Sequence, residues 1–304
     1  MKKIIVLTFI IILLPFIIVS LFTNPSNIKF KYGSNLFIKV KRMDKNIIEE
    51  VPFEEYVVGV LSGEMPVSFD MEALKAQAVA ARSYAFKKMN DNYDNEYHVV
   101  DTTMNQVYLD NEELKKRWGN NYNEYFNKVK NAVYDTLGEY LVYDGEIIEA
   151  LFFSTSTGVT ENSGEVFSNQ LPYLVSVSSS FEEGVSPVYN DSVNMSLGDF
   201  YAKLTLPFEN NINIEILETT STNRIKKIKI NNKEFSGNDI SILLGLRSNY
   251  FDIIQNGNEV IIKTKGFGHG VGLSQYGAQA MALKGYKYDE ILKYYYTGVS
   301  LEKF

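Results

Sequence analysis

Residues 64–86 read EMPVSFDMEALKAQAVAARSYAF, and this stretch sets the expectation for everything around it. Asp70 is a helix-capping residue, Glu72 suits the positive end of a helix dipole, and the run beyond is rich in alanine, leucine and lysine. The spacing predicts a helix over 71–88. Lys75 and Arg82 stand two turns apart, so at about 100° per residue they differ by only about 20° around the axis. Both cations therefore face the same way. Leu74, Ala78, Ala81 and Ala85 flank that face, and so many alanines imply close approach of neighbouring backbone. A narrow apolar stripe beside two cations suits the wall of a cleft; a surface helix with two solvated basic residues is the alternative.

Glu64 precedes this helix in a loop that follows an earlier one, expected to begin near Pro52 as its first helical residue and to include Glu54, Tyr56, Val57 and Val60. Pro66 discourages a helix running on through Glu64. A carboxylate held among Leu61, Met65 and Val67 is partly desolvated, which raises its pKa and fits it to donate a proton near neutral pH. A solvent-facing glutamate at a helix end is the other reading.

Near the far end, residues 266–282 read GFGHGVGLSQYGAQAMA. His269 sits in a row of alternating glycines, which permit positive φ and close backbone approach, so the loop can present amides and one imidazole at the mouth of a helix beginning near Leu273. A phosphate-binding loop is excluded, since no Lys-Ser/Thr follows the glycines and no spaced glycine triplet opens a βαβ unit. A packed, purely structural histidine is the plainer alternative. Gln275 and Gln279, one turn apart, share a polar face.

These two segments closely resemble the stage II sporulation protein D family, peptidoglycan lytic transglycosylases of endospore-forming bacteria related to amidase-enhancer proteins. The resemblance places that family's catalytic glutamate on Glu64, with its lysine and arginine on Lys75 and Arg82. Residues 266–298, with Tyr294 and Tyr295 near their end, match the family's other signature, and the resemblance extends through FFSTSTG at 152–158 with Thr160 and Glu161, and LLGLRS at 243–248. It implies cleavage of glycan strands by one carboxylate during sporulation engulfment. The muramic acid C6 hydroxyl attacks its own anomeric carbon, and one glutamate serves first as acid and then as base, leaving a 1,6-anhydro sugar. Glu64 fills both roles in this reading, Lys75 and Arg82 orient it or hold substrate, and Ser154, His269 and Gln275 supply positioning hydrogen bonds.

Two further readings stay open: a wall-binding scaffold or amidase enhancer without turnover, and a hydrolase in which Asp101 or Glu161 partners Glu64, since glycoside hydrolases usually use two carboxylates. Some family members look as though they bind zinc near the segment corresponding to 101–108. Here Val100, Met104 and Asn105 are poor ligands and His98 alone makes no site, so no metal or other cofactor is expected and His98 reads as a surface or turn residue. The resemblance also implies a partner amidase and a membrane protein of the engulfment machinery, by analogy.

After Lys2 and Lys3, an uncharged and mostly apolar run from 4 to 22 is close to bilayer-spanning length. It predicts a single-pass anchor over 1–23 with a cytoplasmic N-terminus, and an extracytoplasmic domain over 24–304 at the cell membrane; a cleaved signal peptide is the alternative. The 304-residue chain has 45% hydrophobic content, no cysteine and a net charge of −7, which excludes a disulfide scaffold and argues against nucleic acid as a ligand. The fold class expected is α+β, with mixed helices and antiparallel strands in one large domain or two joined lobes. One or two strands are expected over 28–51, an amphipathic helix over 113–135, a hairpin over 139–153 turning at Asp144-Gly145, and strands over 212–230 and 260–265.

Overall fold

The computed structural model describes residues 36–304, so the anchor expected over 1–23 lies outside the described residues. No helix among the described residues is long and apolar enough to cross a membrane. Strands β1 (Phe37–Arg42) and β2 (Ile47–Pro52) form an antiparallel hairpin, paired from Phe37↔Pro52 to Arg42↔Ile47. Pro52 ends β2 and caps helix α1 (Phe53–Glu64) rather than starting it. Its fixed φ serves both elements.

Helix α2 (Met71–Asp91) is the axis of the molecule. The Asp70 side chain caps it by accepting from the Glu72 N–H at 2.9 Å. Its alanines are fully buried, as their number predicts. The short strand β3 (Val99–Val100) pairs parallel with β1. The single helix expected over 113–135 is instead two, α3 (Asn111–Trp118) and α4 (Tyr122–Asp135). Gly119, with φ of 51°, ends the first, and a single 3-10 turn over Gly119–Asn121 redirects the chain.

Strands β4 (Glu139–Tyr143) and β5 (Glu146–Ile147) form the expected hairpin, with positive φ at both Asp144 and Gly145. The hairpin is shorter than expected. Beyond Ile147 the chain leaves it, and β6 (Phe152–Phe153) pairs elsewhere; the one-turn helix α5 (Ser163–Val166) follows in the loops beyond.

Residues 190–265 build a second lobe. Here β7 (Asn190–Ser196), α6 (Leu197–Lys203), β8 (Ile214–Thr219), β9 (Ile225–Ile230), β10 (Lys233–Ser236), α7 (Gly237–Leu244), β11 (Phe251–Asn256) and β12 (Glu259–Lys265) form two three-stranded antiparallel sheets, ordered β10-β9-β8 and β11-β12-β7. Their inner faces enclose a separate core of Leu197, Phe200, Tyr201, Ile228, Ile240 and Ile262. The lobe is entered and left at one doorway, where the Gly266 N–H donates to the Tyr189 carbonyl at 2.9 Å.

The chain then returns to the main lobe. Strand β13 (Leu273–Ser274) pairs parallel with β6, α8 (Gln275–Leu283) and α9 (Tyr288–Tyr295) pack on α2, and β14 (Ser300–Lys303) pairs with β4. Helix α2 is thus enclosed by α1, α4, β4, α8 and α9, three of them from the C-terminal half of the main lobe or its far hairpin. The architecture is α+β with mostly antiparallel strands, in two joined lobes.

Candidate active site around Glu64

Glu64 is the last residue of α1, where Pro66 two positions on prevents another turn. Its Oε1 accepts a 2.6 Å hydrogen bond from the Val107 N–H, and Oε2 makes none among the described residues. The side chain is half-buried, and burial pushes its carboxyl above the usual carboxylate range, opposed by the Val107 bond. A carboxyl in that state, with one oxygen fixed and one open, can give a proton and take it back.

The segment that supplies Val107 is itself held down. Gln106 accepts from the Tyr56 hydroxyl at 3.1 Å and donates to the Ala81 carbonyl, Asn105 donates to the Tyr84 hydroxyl at 3.0 Å, and Tyr108 stacks on Tyr56. A Cβ at Gly63 would run into the Val107 carbonyl, so glycine is what lets the segment lie against α1. At its two ends, Arg42 binds Asp101 at 2.9 Å and Asp110 at 3.1 Å. Sequence reasoning missed Arg42, which shares its short strand with Lys39 and Lys41 and gave no sign of its acidic partners.

Lys75 and Arg82 do share one face of α2, but that face meets α4 and not an open cleft. Lys75 pairs with Asp135 at 2.9 Å and with Glu72 at 3.5 Å. Arg82 is fully buried, forked onto Glu54 at 2.9 and 2.8 Å, and donates to the Glu139 and Val133 carbonyls. All three of its nitrogens donate inside the protein. The geometry read from the helix period was correct; its surroundings could not be, because α4 lies some fifty residues on.

Ser154, His269 and Gln275 gather at the β6/β13 pair. The Ser154 carbonyl accepts from the Tyr276 N–H at 3.0 Å, and its hydroxyl lies 3.4 Å from that of Thr155. Gln275 opens α8 and is buried. His269 Nε2 lies 3.1 Å from the Phe152 carbonyl while Nδ1 accepts from the Val271 N–H at 3.1 Å, which fixes the Nε2–H tautomer. Burial, aided by the nearby Arg224 charge, lowers its pKa to about 4. The ring is neutral and both nitrogens are committed, so it braces the loop and has no hydrogen bond to spare. Gly272, with φ of 82°, lies where a Cβ would strike the Leu151 carbonyl, which is why the loop can close on β6. No hydrogen bond or ion pair among the described residues joins Glu64 to any of these three, nor to Lys75 or Arg82.

The two other candidate acids are occupied. Asp101 accepts from Arg42 and from the Met43 N–H. Glu161 is fully buried against Arg224 at 3.3 Å and also accepts from the Thr222 hydroxyl. His98 is not a surface residue: it is buried at the edge of β3, with Nδ1 accepting from the Lys39 N–H at 3.0 Å. Among the described residues, no group of three or more His, Asp or Glu side chains is placed to hold a metal ion. Tyr295 and Tyr296 are fully buried core residues.

Comparison with known proteins adds an independent line. The family profile described as Stage II sporulation protein matches residues 41–143, the segment holding Glu64, Lys75, Arg82 and Val107. Stage II sporulation protein D of Bacillus amyloliquefaciens is 42% identical over 275 residues, 89% of this chain and 80% of that protein. Its counterpart in Bacillus subtilis is 41% identical over 276 residues, with the same coverage. The amidase enhancer of Bacillus subtilis is 30% identical over 300 residues, spanning 81% of this chain but only 40% of that longer protein.

Proposed function

The chain belongs to the stage II sporulation protein D family, and on that footing we propose that it is a lytic transglycosylase that cuts peptidoglycan glycan strands to 1,6-anhydro-muramic products during engulfment. The observation that carries this reading is the state of Glu64: half-buried, raised in pKa, held through one oxygen by Val107 and open at the other. Protonated, it gives its proton to the glycosidic oxygen; ionised, it takes the proton of the C6 hydroxyl as that oxygen closes on the anomeric carbon. Cyclisation needs no second carboxylate.

That last point separates the reading from hydrolysis. A two-carboxylate mechanism needs a partner free to act as nucleophile or base. Asp101 is bonded to Arg42, and Glu161 is sealed in the interior with Arg224. The scaffold or amidase-enhancer reading is favoured by one observation, the similarity to the amidase enhancer. In the catalytic reading the protein acts from a single-pass membrane anchor, on the extracytoplasmic side, alongside a peptidoglycan amidase and a membrane protein of the engulfment complex. Substrate contacts fall to groups near Glu64 and to Ser154 and Gln275.

The test is to incubate the protein and its Glu64→Gln variant with glycan strands stripped of peptides and to identify the ends by mass spectrometry. Anhydro ends from the wild type alone are expected. Equal product from both removes Glu64 from the mechanism, reducing ends point to hydrolysis, and no product from either leaves the scaffold.

A further inference from the structure

Where the second lobe meets the glycine-rich loop, a cleft of about 540 Å³ opens, lined by Glu165, Phe167, Asn238, Ile242, Arg247 and His269 among others. It is of the size that holds small ligands, and none of the residues assigned to proton transfer lines it. Its apolar surface is aromatic and open: the Phe167 ring is 44% exposed and braced edge-on by His269, with ring centroids 5.6 Å apart. Ile242 opposite is 70% exposed. Large apolar side chains left bare in a concave place are uncommon unless something covers them.

The charges in the cleft decide what that something is. The two cations are held in ion pairs, Arg247 Nε with Asp191 at 2.6 Å and Lys226 with Glu218 at 2.5 Å, while the Glu165 carboxylate accepts from the Ser221 hydroxyl and N–H at 2.6 and 2.9 Å. The His269 ring at the floor is neutral, with both nitrogens bonded. Both cations are thus engaged, so the cleft offers an anion no free positive charge, and its one acid without an ion pair is turned onto Ser221. It does offer hydrogen-bonding groups, namely the exposed Asn238 amide, which has no partner among the described residues, and the Nη edge of the ion-paired Arg247 guanidinium that the Asp191 bond leaves open. An aromatic face beside an amide and the donor edge of an ion-paired guanidinium suits a ligand with one apolar face and a polar rim. That is a pyranose ring, and an acetamido group adds a match for the Asn238 amide.

We propose that this inter-lobe cleft is a second saccharide site, which binds an N-acetylated hexosamine oligosaccharide with one ring face on Phe167 and its amide and hydroxyl groups on Asn238 and Arg247. The choice of sugar rests on the glycan reading of Glu64; the geometry of the cleft does not. The site holds a strand at a place set by the second lobe, away from the residue that cuts it.

The probe is tetra-N-acetylchitotetraose, titrated into the full chain carrying Glu64→Gln while the backbone amides of Gly268 and His269 are followed by NMR. Saturable shifts of both amides are expected, with the apparent Kd rising at least fivefold when Phe167→Ala is added and about two- to threefold with Asn238→Ala. Melting temperature, measured alongside, is expected to hold within a few degrees, because both side chains are exposed. Shifts that are absent, or that persist with the same Kd in Phe167→Ala, overturn the proposal. So does Phe167-dependent binding of an anionic peptide in place of the sugar. Turnover of glycan strands by the wild type, run in parallel, separates the two readings. Normal cleavage with no Phe167-dependent binding sinks only the cleft, whereas Phe167-dependent binding without cleavage supports the cleft and sinks the role of Glu64.

Discussion

The turn that carries Glu64 and the loop that carries His269 each withdraw one titratable side chain from water, yet they leave the two in different chemical positions. Both groups are pushed by burial towards their uncharged forms. Glu64 keeps one oxygen unbonded, so its proton can leave and return. His269 has both nitrogens tied to backbone, so its proton is part of the architecture. A titratable residue in a motif is thus a candidate for chemistry only when some of its bonding capacity is left over. Arg82, equally prominent in the sequence, falls on the His269 side of this division.

The contrast can be broken first at Glu64. Replacing it with glutamine keeps the Val107 bond but removes the exchangeable proton, and cleavage of glycan strands is expected to fall by about 100-fold or more. A fall below tenfold, measured by release of anhydro ends, places the acid elsewhere. Arg82→Met probes the opposite case. It strands Glu54 in the interior, and a loss of about 3–5 kcal/mol in urea unfolding is expected, as for other broken buried pairs. A second change, Glu54→Gln, should recover part of that loss. If Arg82→Met instead leaves stability intact and raises KM alone, the residue does reach substrate.

His269 sharpens the comparison through pH. Its folded pKa of about 4 lies below the unfolded value of 6.5, so below pH 6.5 the unfolded chain takes up a proton that the folded chain refuses. Stability should therefore fall as pH drops from 6.5 to about 4, by at most about 1.4 kcal/mol per pH unit from this group. Equilibrium unfolding of a His269→Gln variant across that window is expected to show a shallower slope. An unchanged slope means the imidazole is not held neutral. The smallest effect belongs to Lys75, whose partner Asp135 is 52% exposed: Lys75→Met should shift stability by no more than about 1 kcal/mol.

Local chemistry made part of this structure legible in advance. Asp70 announces α2, the alanines announce its burial, and Asp144-Gly145 announces its turn, because each acts on near neighbours. Most of what failed depended on distant residues, with Gly119 a local exception. Gly119 splits one expected helix because a positive φ there lets the chain redirect, and the strand expected after Ile147 is drawn away to pair with β13 some 120 residues later. Strand β7 escaped notice within polar, serine- and asparagine-rich sequence, since its partner β12 lies more than sixty residues on; β11, which pairs with β12 across the turn at Asn256–Glu259, was a local hairpin that was missed. At the site, the glutamate and the desolvating turn were readable, but Val107 as its partner, Arg42 as the clamp behind it and the Glu161–Arg224 pair were not. Each joins side chains separated by at least forty residues.

The doorway between Tyr189 and Gly266 has a consequence for the order in which the molecule comes into being. Helix α2 is made early, but Gln279, which bonds the Asp70 amide across a separation of 209 residues, and the helices α8 and α9 are made only after the whole second lobe has emerged. A nascent chain stalled just beyond that lobe holds a finished small domain while the side of the alanine-lined helix that α8 and α9 will cover is still open to solvent. Such a chain is slow to mature and sticky while it waits, because long-range contacts come last and the uncovered surface is apolar. The partners that hold Glu64 all precede the second lobe, so the hydrogen bonds of the site can form while the helix beside it is still partly uncovered.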